Sequence, residues 1–329
     1  MLKKQNFFRK HFFVFLTGLI SMCMLVSIYS LTSTRVYSSE TDDKITGSNW
    51  MSSLSDNEKL CELNIPGTHD SGTKHTTALA SGVVASCQSD SIDKQLTKGL
   101  RYFDIRINAD LVVNHGGVNC YKNVITIDKN KLTLNHVLST IEKFLEKNPT
   151  ETVIVQIKEE GSSKKDFRTE VNSALSKYKK FYKYTNTSAK KLSLKDVRGH
   201  FVIFDRSNTV KGGYKIRSWP DNCAYGKVLL DGETAYLQDH YKAVKASTKF
   251  STIKSFYNKL WESSYSSNRF ILDFTSCTGP FCPRLVAGTV NSKFEKLLKD
   301  NKEKKFGIVL MDFPDSDLIS EIYKTNIKK

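Results

Sequence analysis

Six prolines in 329 residues leave no proline-rich linker. Beyond residue 50 there is also no serine-rich linker, internal repeat or low-complexity tract that would separate domains. A single domain is the expectation for a chain of this length. No GxGxxG follows the first apolar strand, which argues against a dinucleotide fold. There is no GxSxG nucleophile elbow and no cysteine in a protease-like setting. An HExxH zinc helix is missing, and without a CxxC pair the cysteine spacings match no zinc ligand set. After Leu31 no apolar run is long enough to cross a bilayer. Nor is there a dense basic block of the nucleic-acid-binding kind.

What is present begins with a basic start, Lys3, Lys4, Arg9 and Lys10, then an uncharged apolar run from Phe12 to Leu31. Small polar residues follow, and Val36-Tyr37-Ser38 offers a cleavage site, so residues 1–38 read as a secretion signal. The competing reading is an uncleaved membrane anchor. Residues 39–48 form a short lead and residues 49–329 the expected folded barrel, secreted and monomeric. Cleavage would remove five cations (Lys3, Lys4, Arg9, Lys10, Arg35) and no acid, lowering the formal charge from +16 to +11. A basic exported protein is drawn to anionic surfaces. The lysines are spread in pairs such as Lys164-Lys165 and Lys304-Lys305, which read as solvated surface, so nucleic acid is not an expected partner. Six cysteines remain after cleavage, Cys61, Cys87, Cys120, Cys223, Cys277 and Cys282. In an oxidising compartment disulfides are expected, with pairing that sequence cannot choose. Cys277-Thr-Gly-Pro-Phe-Cys282 has the look of a local loop clamp.

Apolar strands alternate with amphipathic helices. Strands are expected over 62–65, 100–107, 111–114 (a hairpin partner of the second), 152–158, 201–204, 270–274 and 307–313. Helices are expected over 133–147, 164–178, 251–261, 289–298 and 318–324, with a looser stretch after residue 204. Repeated strand–helix units give an α/β fold with a parallel sheet, either a closed barrel or an open doubly wound sheet. Polar residues gather at the C-terminal ends of strands: His69 and Asp70, Asp104 and Arg106, His115, Lys158, Asp205 and Arg206, and Asp312. In a barrel those ends converge on one mouth, where the chemistry sits.

The most informative segment is Ile65-Pro-Gly-Thr-His-Asp-Ser-Gly72, which leaves a histidine beside an aspartate at a strand end. Alone it could be a capped turn or a site. With His115 and Arg106 at the same mouth it suits phosphodiester cleavage. One imidazole takes a proton from an attacking hydroxyl, the other protonates the leaving oxygen, and the guanidinium holds the phosphoryl oxygens. A metal phosphodiesterase would need further carboxylates in place of Arg106.

These segments, with Gly99-Leu-Arg-Tyr-Phe-Asp-Ile-Arg106 and Asn114-His-Gly116, resemble the X-region of bacterial phosphatidylinositol-specific phospholipase C. The resemblance continues through Asn148–Val155, Leu237–Tyr241, Phe274–Ser276 and Gly307–Asp312, in unbroken order from about residue 49 to residue 323. It implies a distorted, incompletely closed (β/α) TIM-type barrel. It implies cleavage of membrane phosphatidylinositol to diacylglycerol and inositol 1,2-cyclic phosphate, with GPI-anchored proteins as a further target. It assigns His69 as general base, oriented by Asp312, and His115 as general acid, aided by Asp70. Arg106 would hold the phosphate, with Asp104 orienting it, while Lys158, Arg206, Asp239 and Tyr241 would line the inositol pocket. No metal or other cofactor is implied, because Arg106 stands where calcium-dependent relatives place their ion. The chain departs from the family pattern in reading Asp104-Ile-Arg-Ile-Asn108, and in the two cysteines of the 274–282 loop. Phe281, with Val83 and Val84, would touch the membrane. His75, His136, His200, His240 and Asp273 read as structural. The alternatives are a calcium-dependent glycerophosphodiester phosphodiesterase and a non-catalytic inositol-lipid-binding protein on the same scaffold.

Overall fold

β1 (Ile65–Thr68) pairs in parallel with β2 (Tyr102–Ile107) and starts a ring of nine strands. A computed structural model describes residues 45–76, 85–184, 186–243, 245–263, 268–278 and 283–327 of the chain. The expected signal segment, Val83, Val84, Phe281 and Cys282 lie outside the described residues. After β2 comes a small hairpin, β3 (Asn114–His115) with β4 (Val118–Asn119). β5 (Val153–Glu159), β6 (Phe201–Asp205) and β7 (Tyr214–Arg217) continue the ring in parallel. β8 (Cys223–Leu230) runs antiparallel to both β7 and β9 (Glu233–Asp239), and β10 (Ile271–Phe274) and β11 (Ile308–Met311) restore the parallel order. β11 returns to β1. Every strand of the ring therefore has two neighbours. The barrel is distorted, as expected, but its ring is complete where the resemblance implied an incompletely closed one.

The seam between β1 and β2 depends on Gly67. It lies opposite Tyr102, and a Cβ there would stand 2.8 Å from the Tyr102 Cβ. Pro66 and Gly67, read from sequence as ending a strand, sit inside β1. Proline is tolerated because its position asks only for an acceptor, and its carbonyl takes the Arg101 N–H at 2.9 Å.

Alternation decides what each strand shows to the interior. Along β2, Tyr102, Asp104 and Arg106 share one face, while Phe103, Ile105 and Ile107 lie on the other. Parallel register sets Asp104 beside Gln156 and Arg106 beside Lys158. The interior is partly polar: the Tyr102 hydroxyl donates to Gln156 Oε1 (3.0 Å), and Gln156 Nε2 donates to Asp104 Oδ1 (2.6 Å).

Helices cover the outside. α1 (Ile92–Lys98) ends on Gly99, which has a φ of 115° and packs against the Tyr323 ring. α2 (Leu134–Lys147) starts where Thr133 accepts from the His136 N–H, and it buries Leu134, Val137, Leu138, Ile141, Phe144 and Leu145, the stripe its periodicity predicts. α3 (Phe167–Ser176), the short α4 (Leu194–Val197), α5 (Ala246–Glu262), α6 (Pro283–Asp300) and α7 (Ser316–Lys324) complete the set. Among the described residues no helix is long and apolar enough to cross a membrane.

Three further sequence expectations change. The looser stretch after residue 204 holds β7, β8 and β9; its hairpin turn, Asp231-Gly232, has the positive φ values (52° and 81°) that such turns require. Residues 111–114 add only one antiparallel bridge to β2, between Val113 and Ile107, because Asn114 pairs with β4 instead. The expected disulfides do not form among the described residues. Cys61, Cys87, Cys120, Cys223 and Cys277 are free thiols, four of them buried, where they pack as small apolar side chains. Cys277 of the expected loop clamp is among them.

The N-terminal end of the barrel is closed by the turn Trp50–Ser53. Trp50 Nε1 donates to the Gly99 carbonyl (2.9 Å). Beneath it Arg101 and Glu151, both fully buried, pair at 2.8 Å, and the Met51 N–H donates to Glu151 Oε1 at 3.1 Å.

Candidate active site

At the opposite end, β1 delivers His69 and β11 delivers Asp312. The strands are in register at Thr68 and Met311, so the next residues meet, and His69 Nδ1 lies 2.9 Å from Asp312 Oδ1. Gln88 clasps both strand ends, its Nε2 donating to the carbonyls of His69 (2.7 Å) and Met311 (2.9 Å). Asn291 Nδ2, from α6, donates to the Asp312 carbonyl at 2.9 Å. Asp70 and Phe313, the residues that follow this couple, have left-handed φ values of 42° and 45°. Such backbone is uncommon for these residues and clusters at functional sites.

Asp70 is the hub. Its Oδ2 lies 3.0 Å from His69 Nε2 and 3.2 Å from His115 Nε2, and its Oδ1 lies 2.9 Å from Arg106 Nε. Three basic side chains thus converge on one buried carboxylate. The β3 hairpin carries His115 to this point, and its Nδ1 lies 2.8 Å from the Ala85 carbonyl. The two imidazoles are 6.2 Å apart and nearly perpendicular. Sequence reading divided His69 and Asp70 between two separate couples; the structure joins them through one carboxylate.

Arg106 is bracketed by acids. It donates to Asp104 Oδ2 from Nε (3.1 Å) and Nη2 (2.9 Å), and its Nη1 lies 3.4 Å from Glu160 Oε2. Asp104 therefore orients Arg106, as the shared strand face suggested. Glu160 was not anticipated, although it continues the face of Lys158 at the two-residue spacing of a strand. It pairs with Lys158 and accepts the Gly116 N–H at 2.7 Å, tying the His115 loop to Arg106.

This network sets the protonation states. Burial alone would lower the His115 pKa, but the Asp70 carboxylate outweighs it and raises the value to about 10. Burial opposes charge on His69 too, and Asp70 and Asp312 together raise its pKa well above the ordinary value. Burial would push Asp70 up; Arg106, then His69 and His115, hold it well below the usual carboxylate range.

An open cavity of about 390 Å³ lies over these groups, lined by His69, Arg106, His115, Lys158, Asp239 and Tyr241 among others. The Arg206 guanidinium stacks 3.5 Å from the centroid of Trp219, whose Nε1 donates to Asp239 Oδ2 at 3.0 Å. The Tyr241 hydroxyl donates to Asp221 Oδ1 at 2.6 Å. All four expected pocket residues, Lys158, Arg206, Asp239 and Tyr241, face this cavity. Trp219 and Asp221 were missed, because they sit in turns that carry no periodic signal.

Residues read as structural stay apart from the mouth. His200 Nδ1 contacts the Arg198 carbonyl and His240 Nδ1 contacts Thr252. His75 and His136 line a separate small cavity. Asp273 is buried behind the site, accepts from Gln238 Nε2 at 2.6 Å, and is pushed up to about 6 by burial.

His69, Asp70 and Cys87 present nitrogen, oxygen and sulfur donors within 4.8 Å of one another, a set for a soft cation. Calcium wants six to eight oxygens. Here the oxygens of Asp70 and Asp104 already face the Arg106 guanidinium, and the donor set does not fit that ion.

Comparison with known proteins accords with this geometry. Residues 63–207 match the family model for the phosphatidylinositol-specific phospholipase C X domain. The chain is 32% identical to the 1-phosphatidylinositol phosphodiesterase of Listeria monocytogenes over 86% of each protein. The chain belongs to the phosphatidylinositol-specific phospholipase C family. The enzyme named 1-phosphatidylinositol phosphodiesterase in Staphylococcus aureus is 25% identical over 84% of this chain and 94% of that one. The solved phospholipase structure from Listeria monocytogenes superposes with a TM-score of 0.70 and 28% identity, covering 85% of this chain and 99% of that one. A structure of the Staphylococcus aureus phospholipase gives a TM-score of 0.72 and 25% identity, covering 85% and 98%. The phospholipase family model ends just beyond Arg206, so His69, Arg106, His115 and Lys158 fall inside it, and Asp239, Tyr241 and Asp312 fall outside.

Proposed function

We propose that this protein cleaves phosphatidylinositol in membranes to diacylglycerol and inositol 1,2-cyclic phosphate, without a metal ion. The observation that carries the reading is the pair of imidazoles on either side of Asp70, with Arg106 beside them. The substrate phosphate binds against Arg106, and the inositol ring fills the cavity bounded by Lys158, Arg206, Asp239 and Tyr241. Once substrate has displaced its Asp70 contact and the ring has given up its proton, His69, oriented by Asp312, removes the proton of the inositol 2-hydroxyl as that oxygen forms a bond to phosphorus. The bond from phosphorus to the diacylglycerol oxygen breaks, and His115 delivers its proton to that oxygen. Placing the nucleophile next to the phosphate within one molecule adds proximity to the two proton transfers. Arg106 counters the charge that develops on the non-bridging oxygens.

In the free protein both Nε2 atoms face Asp70. Substrate binding has to replace the His69 contact with the hydroxyl, while Asp70 goes on stabilising the imidazolium of His115. Slow water attack on the cyclic product, with the proton roles reversed, gives inositol 1-phosphate. Glycosylphosphatidylinositol anchors present the same headgroup contacts and are a second substrate in this reading. The basic start and the uncharged apolar run after it support export with removal of residues 1–38, leaving 49–329 as the catalytic barrel.

The test is phosphorus NMR of products from phosphatidylinositol vesicles in EDTA. A cyclic phosphate resonance formed at an undiminished rate is the expected result. Activity abolished by EDTA and restored by calcium would overturn the arginine-based mechanism.

A further inference from the structure

The connection from β2 to α2 carries a feature that the catalytic site does not use. Val124, Ile125 and Ile127 are 79%, 56% and 45% exposed, three of the five large apolar side chains that stand out among the described residues. The other two, Tyr184 and Leu229, lie far apart in sequence. Isolated exposed apolar residues are ordinary, but a run within four positions is not.

The loop satisfies its own peptide groups. The Lys122 N–H donates to the Asn130 carbonyl (2.9 Å), and the Ile125 N–H donates to Asn123 Oδ1 (2.9 Å). Asn130 Nδ2 donates to the Ile125 carbonyl at 3.0 Å, and the Asn130 N–H donates to the Ile127 carbonyl at 2.9 Å. A turn closed this way can leave water at low cost, because few of its polar groups lose a partner. Lys122 and Lys129 are exposed at its flanks, and Lys131 pairs with Asp128 at 3.1 Å, so three cations face one acid.

Its position points the same way. In a β/α barrel every segment between a strand and its following helix lies at the C-terminal face. The loop shares that connection with His115, and its stem is bonded to the β1 side through the Tyr121 N–H and the His75 carbonyl (2.7 Å).

We infer that residues 122–130 form a membrane-inserting turn: Val124, Ile125 and Ile127 enter the acyl boundary while Lys122 and Lys129 meet anionic headgroups. The inference rests on the reading of a membrane-lipid substrate and adds a contact that the sequence did not assign, since Phe281, Val83 and Val84 were the expected ones. Apolar burial and charge then act together, the combination that gives interfacial proteins their affinity.

The test uses phosphatidylcholine vesicles with and without phosphatidylglycerol, none containing phosphatidylinositol. Wild type and a Val124→Ser/Ile125→Ser/Ile127→Ser variant, produced identically, are sedimented with the vesicles. The variant is expected to partition about tenfold or more weakly into the anionic vesicles, with unchanged turnover of a short-chain, monomeric phosphatidylinositol. A second variant, Ile125→Trp, is expected to gain fluorescence that brominated lipids quench beyond the wild-type level. Unchanged partition of the triple variant, or an Ile125→Trp signal that brominated lipid does not touch, would overturn the insertion. A change in oligomeric state with unchanged partition would also overturn it, giving the patch to a second copy of the chain. Loss of turnover in wild type on the monomeric substrate would sink the enzymatic reading instead, while the vesicle data still decide the loop.

Discussion

Asp70 Oδ2 stands within 3.2 Å of His115 Nε2, while the other oxygen of the same carboxylate meets Arg106 at 2.9 Å. One buried acid thus supports the proposed proton donor and the proposed phosphate ligand together. In Asp70→Asn the charge that raises His115 to about 10 is gone. The basic limb of the kcat/KM profile, which reports loss of the acid's proton, should move to lower pH by about one unit or more, and kcat should fall roughly 10²-fold. A pH–rate series checks this; a basic limb that stays in place would dismiss Asp70 as the group that holds the His115 proton.

Removing either imidazole should be more severe. His69→Ala and His115→Ala should each lose about 10²–10⁴-fold in turnover, the contribution of one positioned proton transfer, while circular dichroism and cooperative unfolding persist. Near-normal rates in either variant would refute the assigned roles.

The same charges predict how stability follows pH. The folded pKa of His115 is raised from 6.5 to about 10, and His69 shifts in the same direction. Their stabilisation is therefore complete below the unfolded value near 6.5 and is lost as pH rises through the folded value. The Tm of wild type minus that of His115→Gln should be positive at pH 6 and shrink toward zero by about pH 10. A difference that grows with pH would contradict the sign.

Trp219 offers a way to separate binding from chemistry. Its ring carries the Arg206 guanidinium at 3.5 Å and its indole N–H steadies Asp239. Trp219→Ala should raise KM about tenfold, near 1.4 kcal/mol, with a smaller effect on kcat. Trp219→Phe, which keeps a face for the arginine, should recover part of that loss. Steady-state kinetics on a monomeric substrate would reveal the split, and a kcat-only defect would remove Trp219 from the pocket.

The buried Arg101–Glu151 pair should matter for stability and not for chemistry. Glu151→Gln leaves a fully buried guanidinium short of its counter-charge and should cost about 3–5 kcal/mol in denaturant unfolding. The activity of the remaining folded molecules should be unchanged, since the pair sits at the end of the barrel away from His69.

Much of this site was legible because its residues sit on regular strands. Arg106 and Lys158 follow apolar alternation, His69 comes directly after β1, and parallel register brings neighbouring strand ends together without further information. The apolar stripe of α2 was readable for the same reason. What escaped was held by irregular chain. Trp219 and Asp221 lie in a turn between β7 and β8, strands whose mixed polarity gave no clear period. The shared use of Asp70 by two histidines was also invisible, because it depends on a left-handed backbone step at φ 42° that turns the carboxylate between them. The cysteines misled for a different reason: an even count says nothing about whether the side chains can pair, and the five described cysteines are all free thiols.

The short stretch from Ala85 to Gln88 lies outside the strands of the ring, yet its Ala85 carbonyl holds His115 and its Gln88 side chain holds the backbone of His69 and Met311. It works as a common keel for both imidazoles. A backbone shift of this stretch reaches both histidines at once, so it should weaken both proposed proton transfers together.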